Sequence, residues 1–133
     1  MTTSSTKVAL LGLALFWNVG LSAANDDQMT TEYSTCVHNS EGVTSKILDC
    51  ISTELNRQDS RLNDAYKKLM SKIPKDRKTS LVEAQRAWIK FREANCGFYH
   101  DPNGGSAAQM AGNECFLKAT INRAKELENL AQD

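Results

Sequence analysis

The chain has 133 residues, 41% of them hydrophobic, and its 16 basic residues balance its 16 acidic ones. That length suits one compact domain with its own core. The even charge balance leaves no basic excess to favour nucleic acid.

Lys7 supplies the one charge before an apolar run from Val8 to Leu21, which is shorter than the roughly 20 residues that span a bilayer. Ser22-Ala23-Ala24 follows, and cleavage after Ala24 would put small residues at the two positions a signal peptidase reads. Residues 1–24 are therefore expected to be a removable signal peptide, with residues 25–133 the single exported domain. No cysteine stands just past the small residues, which argues against a lipid anchor. Removal takes one base and no acid, so the exported domain carries a net charge of −1. No later apolar run could enter a membrane, and partners are expected to be proteins or small molecules.

The remaining chain reads as helix. A short one is expected over about Thr31 to Val37, set off by Asn39-Ser40-Glu41-Gly42. From Lys46 to Ile73, Leu48, Ile51, Leu55, Leu62, Tyr66, Leu69 and Ile73 recur at spacings of three, four and seven, one stripe on a long helix. Pro74 ends it, because proline disfavours helical backbone in the residue before it. The next helix starts either at Pro74 or at Ser80, which has Glu83 three residues on. Its stripe is Leu81, Gln85, Trp88, Arg92 and Asn95, with Ala84, Phe91 and Cys96 beside it, and Gly97 is expected to stop it. The segment from Phe98 to Asn103 is expected to be a loop, stiffened by Pro102. A last helix follows Asn103-Gly104-Gly105, with Ser106 and Gln109 in capping-box spacing, and carries Phe116, Thr120, Arg123, Leu127 and Leu130. No alternating strand pattern competes. The fold class is all-α: an antiparallel bundle of three main helices plus one short N-terminal helix.

Four cysteines, Cys36, Cys50, Cys96 and Cys115, remain after cleavage. An even count in a short exported chain reads as two disulfides, for which three pairings exist. Cys36 and Cys50 flank the first turn and Cys96 and Cys115 the glycine-rich one, so bridges between sequential cysteines fit the helix hairpins best. Each would contribute about 3 kcal/mol through chain entropy. A zinc site drawing on His38 and His100 is disfavoured, since neither C-x-x-C nor H-x-x-x-H spacing is present. No metal and no cofactor are expected.

Asp59, Gln85, Arg92 and Arg123 fall on or beside apolar helix faces. A charge buried alone is costly, so these residues need one another, and a buried hydrogen-bonded network that sets helix register is the expected arrangement. The other reading is an anion site. Catalysis finds no foothold: the histidines lie in or near loops, the cysteines are expected to be oxidised, and no acid pair stands out. Trp88 is expected in the core. Candidate contact residues are Tyr99, His100, Asp101 and Asn103, on a loop tethered at Cys96.

Taken in order, Cys50, Asp59-x-x-Leu62-Asn63-x-x-Tyr66-x-x-Leu69, Leu81-x-x-Ala84-Gln85-x-x-Trp88-Ile89-x-x-Arg92-x-x-x-Cys96, Gly104-Gly105-Ser106 and Cys115-x-x-x-x-Thr120-x-x-Arg123-x-x-x-Leu127 resemble the LprI-like domain. This is a helical domain of small exported bacterial proteins, named for a lipoprotein that inhibits lysozyme. The resemblance runs from about Cys36 to Leu130. It implies a periplasmic or secreted protein that binds a cell-wall-degrading enzyme, with lysozyme the first candidate. The matched residues look like scaffold, and a shared scaffold does not by itself establish a shared target. An immunity or partner protein for a secreted toxin, or a small-anion binder, are the alternatives. Nothing in the spacing fixes an oligomeric state.

Overall fold

The structure, a computed structural model, describes residues 29–132. The expected signal peptide lies outside the described residues. Four helices run in order: α1 (Thr31–Asn39), α2 (Thr44–Lys72), α3 (Lys75–Tyr99) and α4 (Gly105–Leu130).

Local chemistry sets most of the boundaries. The Thr30 hydroxyl caps α1 by accepting from the Tyr33 N–H at 3.1 Å. Between α1 and α2 the chain turns through left-handed backbone at Glu41 (φ 52°) and Gly42 (φ 78°). Only the glycine adopts that conformation without steric cost. Ile73 leaves α2 in extended backbone (φ −78°, ψ 150°), as the following proline requires. Pro74 then serves as N-cap, so α3 opens at Lys75 and not at Ser80.

Two helix ends depart from expectation. Gly97 does not stop α3, which continues to Tyr99 and is capped by His100, whose N–H donates to the Gly97 carbonyl at 3.1 Å. A glycine inside a helix costs only about 1 kcal/mol, and the bridge from Cys96 to Cys115 pins this turn to α4. Helix α4 opens at Gly105 (φ 60°) with Gly104 as N-cap. Ser106 therefore lies inside the first turn, and the capping box with Gln109 does not form: the N-cap has no side-chain hydrogen bond.

The spine of the bundle is the α2–α4 pair. One core cluster packs Leu62, Ala65 and Leu69 of α2 against Ala124 and Leu127 of α4 and Ala131 beyond it, with Leu81 and Trp88 of α3 laid over them. A second, toward the other end, packs Ile51 against Leu117 and Ile121, with Met29, Tyr33, Ile47 and Leu55 around it. Arg61 of α2 grips Glu128 of α4 with two parallel hydrogen bonds of 2.6 Å. That fork holds the Glu128 carboxyl below its ordinary range. Helix α3 is the outer layer, and Cys96 is its one fully buried residue. The disulfides pair Cys36 with Cys50 and Cys96 with Cys115, at Cα separations of 5.8 and 5.4 Å. Each clamps an outer helix to the spine.

Candidate functional site

Two places gather the residues singled out by sequence. The first is the seam where α3 crosses the spine. Here Arg92 Nη1 donates to Thr120 Oγ1 at 2.8 Å and reaches Asp59 Oδ1 at 3.3 Å. Arg123 Nε donates to Gln85 Oε1 at 2.9 Å, and its Nη1 pairs with Glu126 at 2.7 Å. The four residues thus fall into two pairs, Asp59–Arg92 and Gln85–Arg123, each tying α3 to another helix.

The Trp88 ring joins them. The guanidinium carbons of Arg92 and Arg123 lie 4.8 and 5.9 Å from its centroid, and Phe116 takes the other side of Arg92 at 5.6 Å. Burial is uneven: the Arg123 side chain is 9% exposed, whereas Asp59 retains 42%. Asp59 is therefore a rim residue that water still reaches. Trp88 is partly buried against the first core cluster.

A third polar centre was not legible as such. Glu54 of α2 is fully buried. Its carboxylate accepts from the Thr30 N–H (3.1 Å), the Thr30 hydroxyl (2.6 Å), Gln58 Nε2 (2.8 Å) and Arg57 Nη1 (2.9 Å). Burial pushes its pKa up, but these four donors outweigh it and hold the carboxyl below its ordinary range. Glu54 lies three residues past Ile51 and one before Leu55, on the apolar stripe, so its position was the available signal.

The second place is the α3–α4 connection. Phe98 and Tyr99, expected in a loop, instead form the last turn of α3, where their rings meet edge to face at 5.9 Å. Phe98 is 84% exposed and Tyr99 49%. The connecting segment shrinks to residues 100–104. Within it Asp101 Oδ1 accepts from the Asn103 N–H at 2.8 Å, and the Asp101 carbonyl from the Gly104 N–H at 3.0 Å. This local turn fixes Asp101 and Asn103 at the tip.

His100 lies over Gly112 of α4. A Cβ added at Gly112 would come within 2.0 Å of the imidazole Cδ2, so only glycine lets the ring approach this closely. Beside it runs an open groove lined by Asn95, Tyr99, Cys115, Lys118 and Asn122. Tyr99, His100, Asp101 and Asn103 thus share one end of the molecule, framed by the Cys96–Cys115 bridge. Among the described residues no cluster of three or more His, Cys, Asp or Glu could hold a metal ion, and no helix is long and apolar enough to cross a membrane.

A family profile described as lysozyme inhibitor LprI matches residues 36–127, from the first cysteine to the last buried leucine of α4. The chain belongs to the LprI family. The match takes in both disulfides, the α3 seam and the 100–104 connection. The chain matches no curated protein and no solved structure.

Proposed function

We propose that this LprI-family chain is an exported protein that binds and inhibits a cell-wall-degrading enzyme, a lysozyme, and catalyses no reaction of its own. Family membership carries the reading. The preformed end of the molecule around residues 99–103 supplies a contact surface for it. Lysozymes work with two carboxylates in a cleft. A short turn that presents an imidazole and the Asn103 side-chain amide is chemistry that such a cleft accepts. The turn is held on both sides, by the Cys96–Cys115 bridge and by the seat of His100 on Gly112. Less entropy is lost on docking when a loop is held in advance. The net charge of −1 gives little steering toward a basic enzyme, so shape sets the affinity.

The test is a cell-wall lysis assay with hen, human and phage-type lysozymes. Micromolar protein is expected to slow at least one of them, and His100→Ala together with Asn103→Ala to weaken that effect without loss of helicity. Undiminished lysis by all three enzymes removes the proposal.

A further inference from the structure

Helix α3 carries a second apolar stripe besides the one it lays on the spine. Ala84, Ala87, Phe91, Ala94 and Phe98 recur at alternating spacings of three and four, the repeat by which two helices pack along a seam. All five are exposed, with Phe91 at 63% and Phe98 at 84%. Large exposed aromatics aligned along one helix mark an interaction surface. Toward the N-terminal end of α3 lies a mainly apolar groove of about 440 Å³, lined by Leu69, Ile73, Leu81, Ala84 and Leu130 with Arg77 in its wall. One end of the helix therefore offers a ridge and the other end a hollow.

We propose that this surface binds a second copy of the chain, with two α3 helices packed antiparallel about a two-fold axis beside residues 85 and 86. A two-fold interface must be self-complementary, each patch meeting its own counterpart. With that axis Ala84 faces Ala87 of the other copy, which lets the helices approach closely. Phe91 faces Ser80, and Phe98 reaches the Ile73–Pro74 corner. At 1.5 Å per residue, Phe98 lies about 19 Å from the axis on one side and Lys75, the first residue of α3, about 16 Å on the other, with the Ile73–Pro74 corner next to it. The two phenylalanines of each copy thus fill the groove of the other.

Charge fits the same register. Glu83 and Lys90 flank one edge of the stripe, seven residues apart, and among the described residues neither has an ion-pair partner. The two-fold brings Glu83 of each copy beside Lys90 of the other, which makes two reciprocal pairs. Such edge pairs choose partner and orientation in helix seams. The 100–104 turns of the pair lie at opposite ends of the seam and stay open, so this dimer goes beyond the inhibitory reading and does not depend on it.

The test is sedimentation velocity on the whole chain over a concentration series, with circular dichroism as a check on folding. A reversible dimer is expected, and Phe98→Lys should weaken it by about tenfold or more, since it sets a cation against the apolar wall and Arg77 of the hollow. Because Phe98 is exposed, helicity should be unchanged. Glu83→Lys alone should weaken the dimer, and Glu83→Lys with Lys90→Glu should restore it, because reversing both partners re-forms the pairs. A chain that stays monomeric at hundreds of micromolar overturns the proposal. So does a dimer indifferent to the charge reversal. A monomeric wild type whose lysozyme inhibition is lost on Phe98→Lys would also overturn it, by assigning the ridge to the enzyme.

Discussion

Glu54 and Arg92 make opposite use of charge. The Glu54 carboxylate is sealed from water, and its four donors include a backbone N–H that has no other acceptor at the start of α1. Glu54→Ala would remove at once the acceptor that the Thr30 N–H, the Thr30 hydroxyl and the Gln58 amide share. The expected loss is about 2–3 kcal/mol by chemical denaturation. Arg92 is differently placed. If it is removed, Asp59 turns to the solvent it already meets, and Thr120 Oγ1 still donates to the Phe116 carbonyl at 2.8 Å. Arg92→Met keeps an unbranched side chain between Trp88 and Phe116, and its cost should stay near 1 kcal/mol. The ranking is the informative measurement. A larger loss from Arg92→Met than from Glu54→Ala would mean that the α3 seam, and not the α1 anchor, is the main polar tie.

Among the elements, α3 shows what spacing reveals and what it hides. The inner stripe through Leu81, Gln85, Trp88 and Arg92 is legible because burial against the spine imposes a helical period, whereas Asn95 on it and Ala84 and Phe91 beside it lie exposed. The end of the helix is not legible. Gly97 carries a stop signal in isolation, and a cross-link between cysteines 19 residues apart overrode it. For the same reason Tyr99 was read as loop although it closes the helix. Glu54 was missed because an acid on an apolar stripe is recognised only once its donors, 24 residues upstream, are in place. The disulfide pairing, by contrast, follows from which turns the cysteines flank. At this scale Gly112→Ala separates fold from site. Alanine favours the helix by about 1 kcal/mol over glycine, while its Cβ evicts the exposed His100 ring from its seat. Thermal stability is therefore expected to hold or rise while lysozyme inhibition falls. Equal inhibition by the variant would take His100 and its seat out of the contact surface.

For the whole molecule, the α2–α4 spine carries the core, and the outer helices hang on it by unlike means. Helix α3 is held by a disulfide, by Leu81 and Trp88 on the core, and by two arginines. Helix α1, with no fully buried residue of its own, is held at one end by Cys36–Cys50 and at the other by Glu54. Acid acts on that second hold. The Glu54 pKa is lower in the folded chain than in the unfolded one, so the unfolded chain takes up the proton first as pH falls. The stability that Glu54 contributes is thus complete above the ordinary glutamate value of about 4.3, and is lost as pH drops below it toward the folded value. Glu128 titrates in the same direction, so acid unfolding of the wild type alone would not single out Glu54. Glu54→Gln does, because a neutral amide keeps the side chain's size and has no proton to gain. Between about pH 5 and pH 3 the melting temperature of the wild type should therefore fall more steeply than that of Glu54→Gln, and the two curves should converge in acid. The amide resonance of Thr30, whose N–H donates to Glu54, should shift only below the ordinary glutamate range, where the folded carboxyl takes up its proton. Parallel melting curves would show that the α1 anchor does not depend on the charge of Glu54.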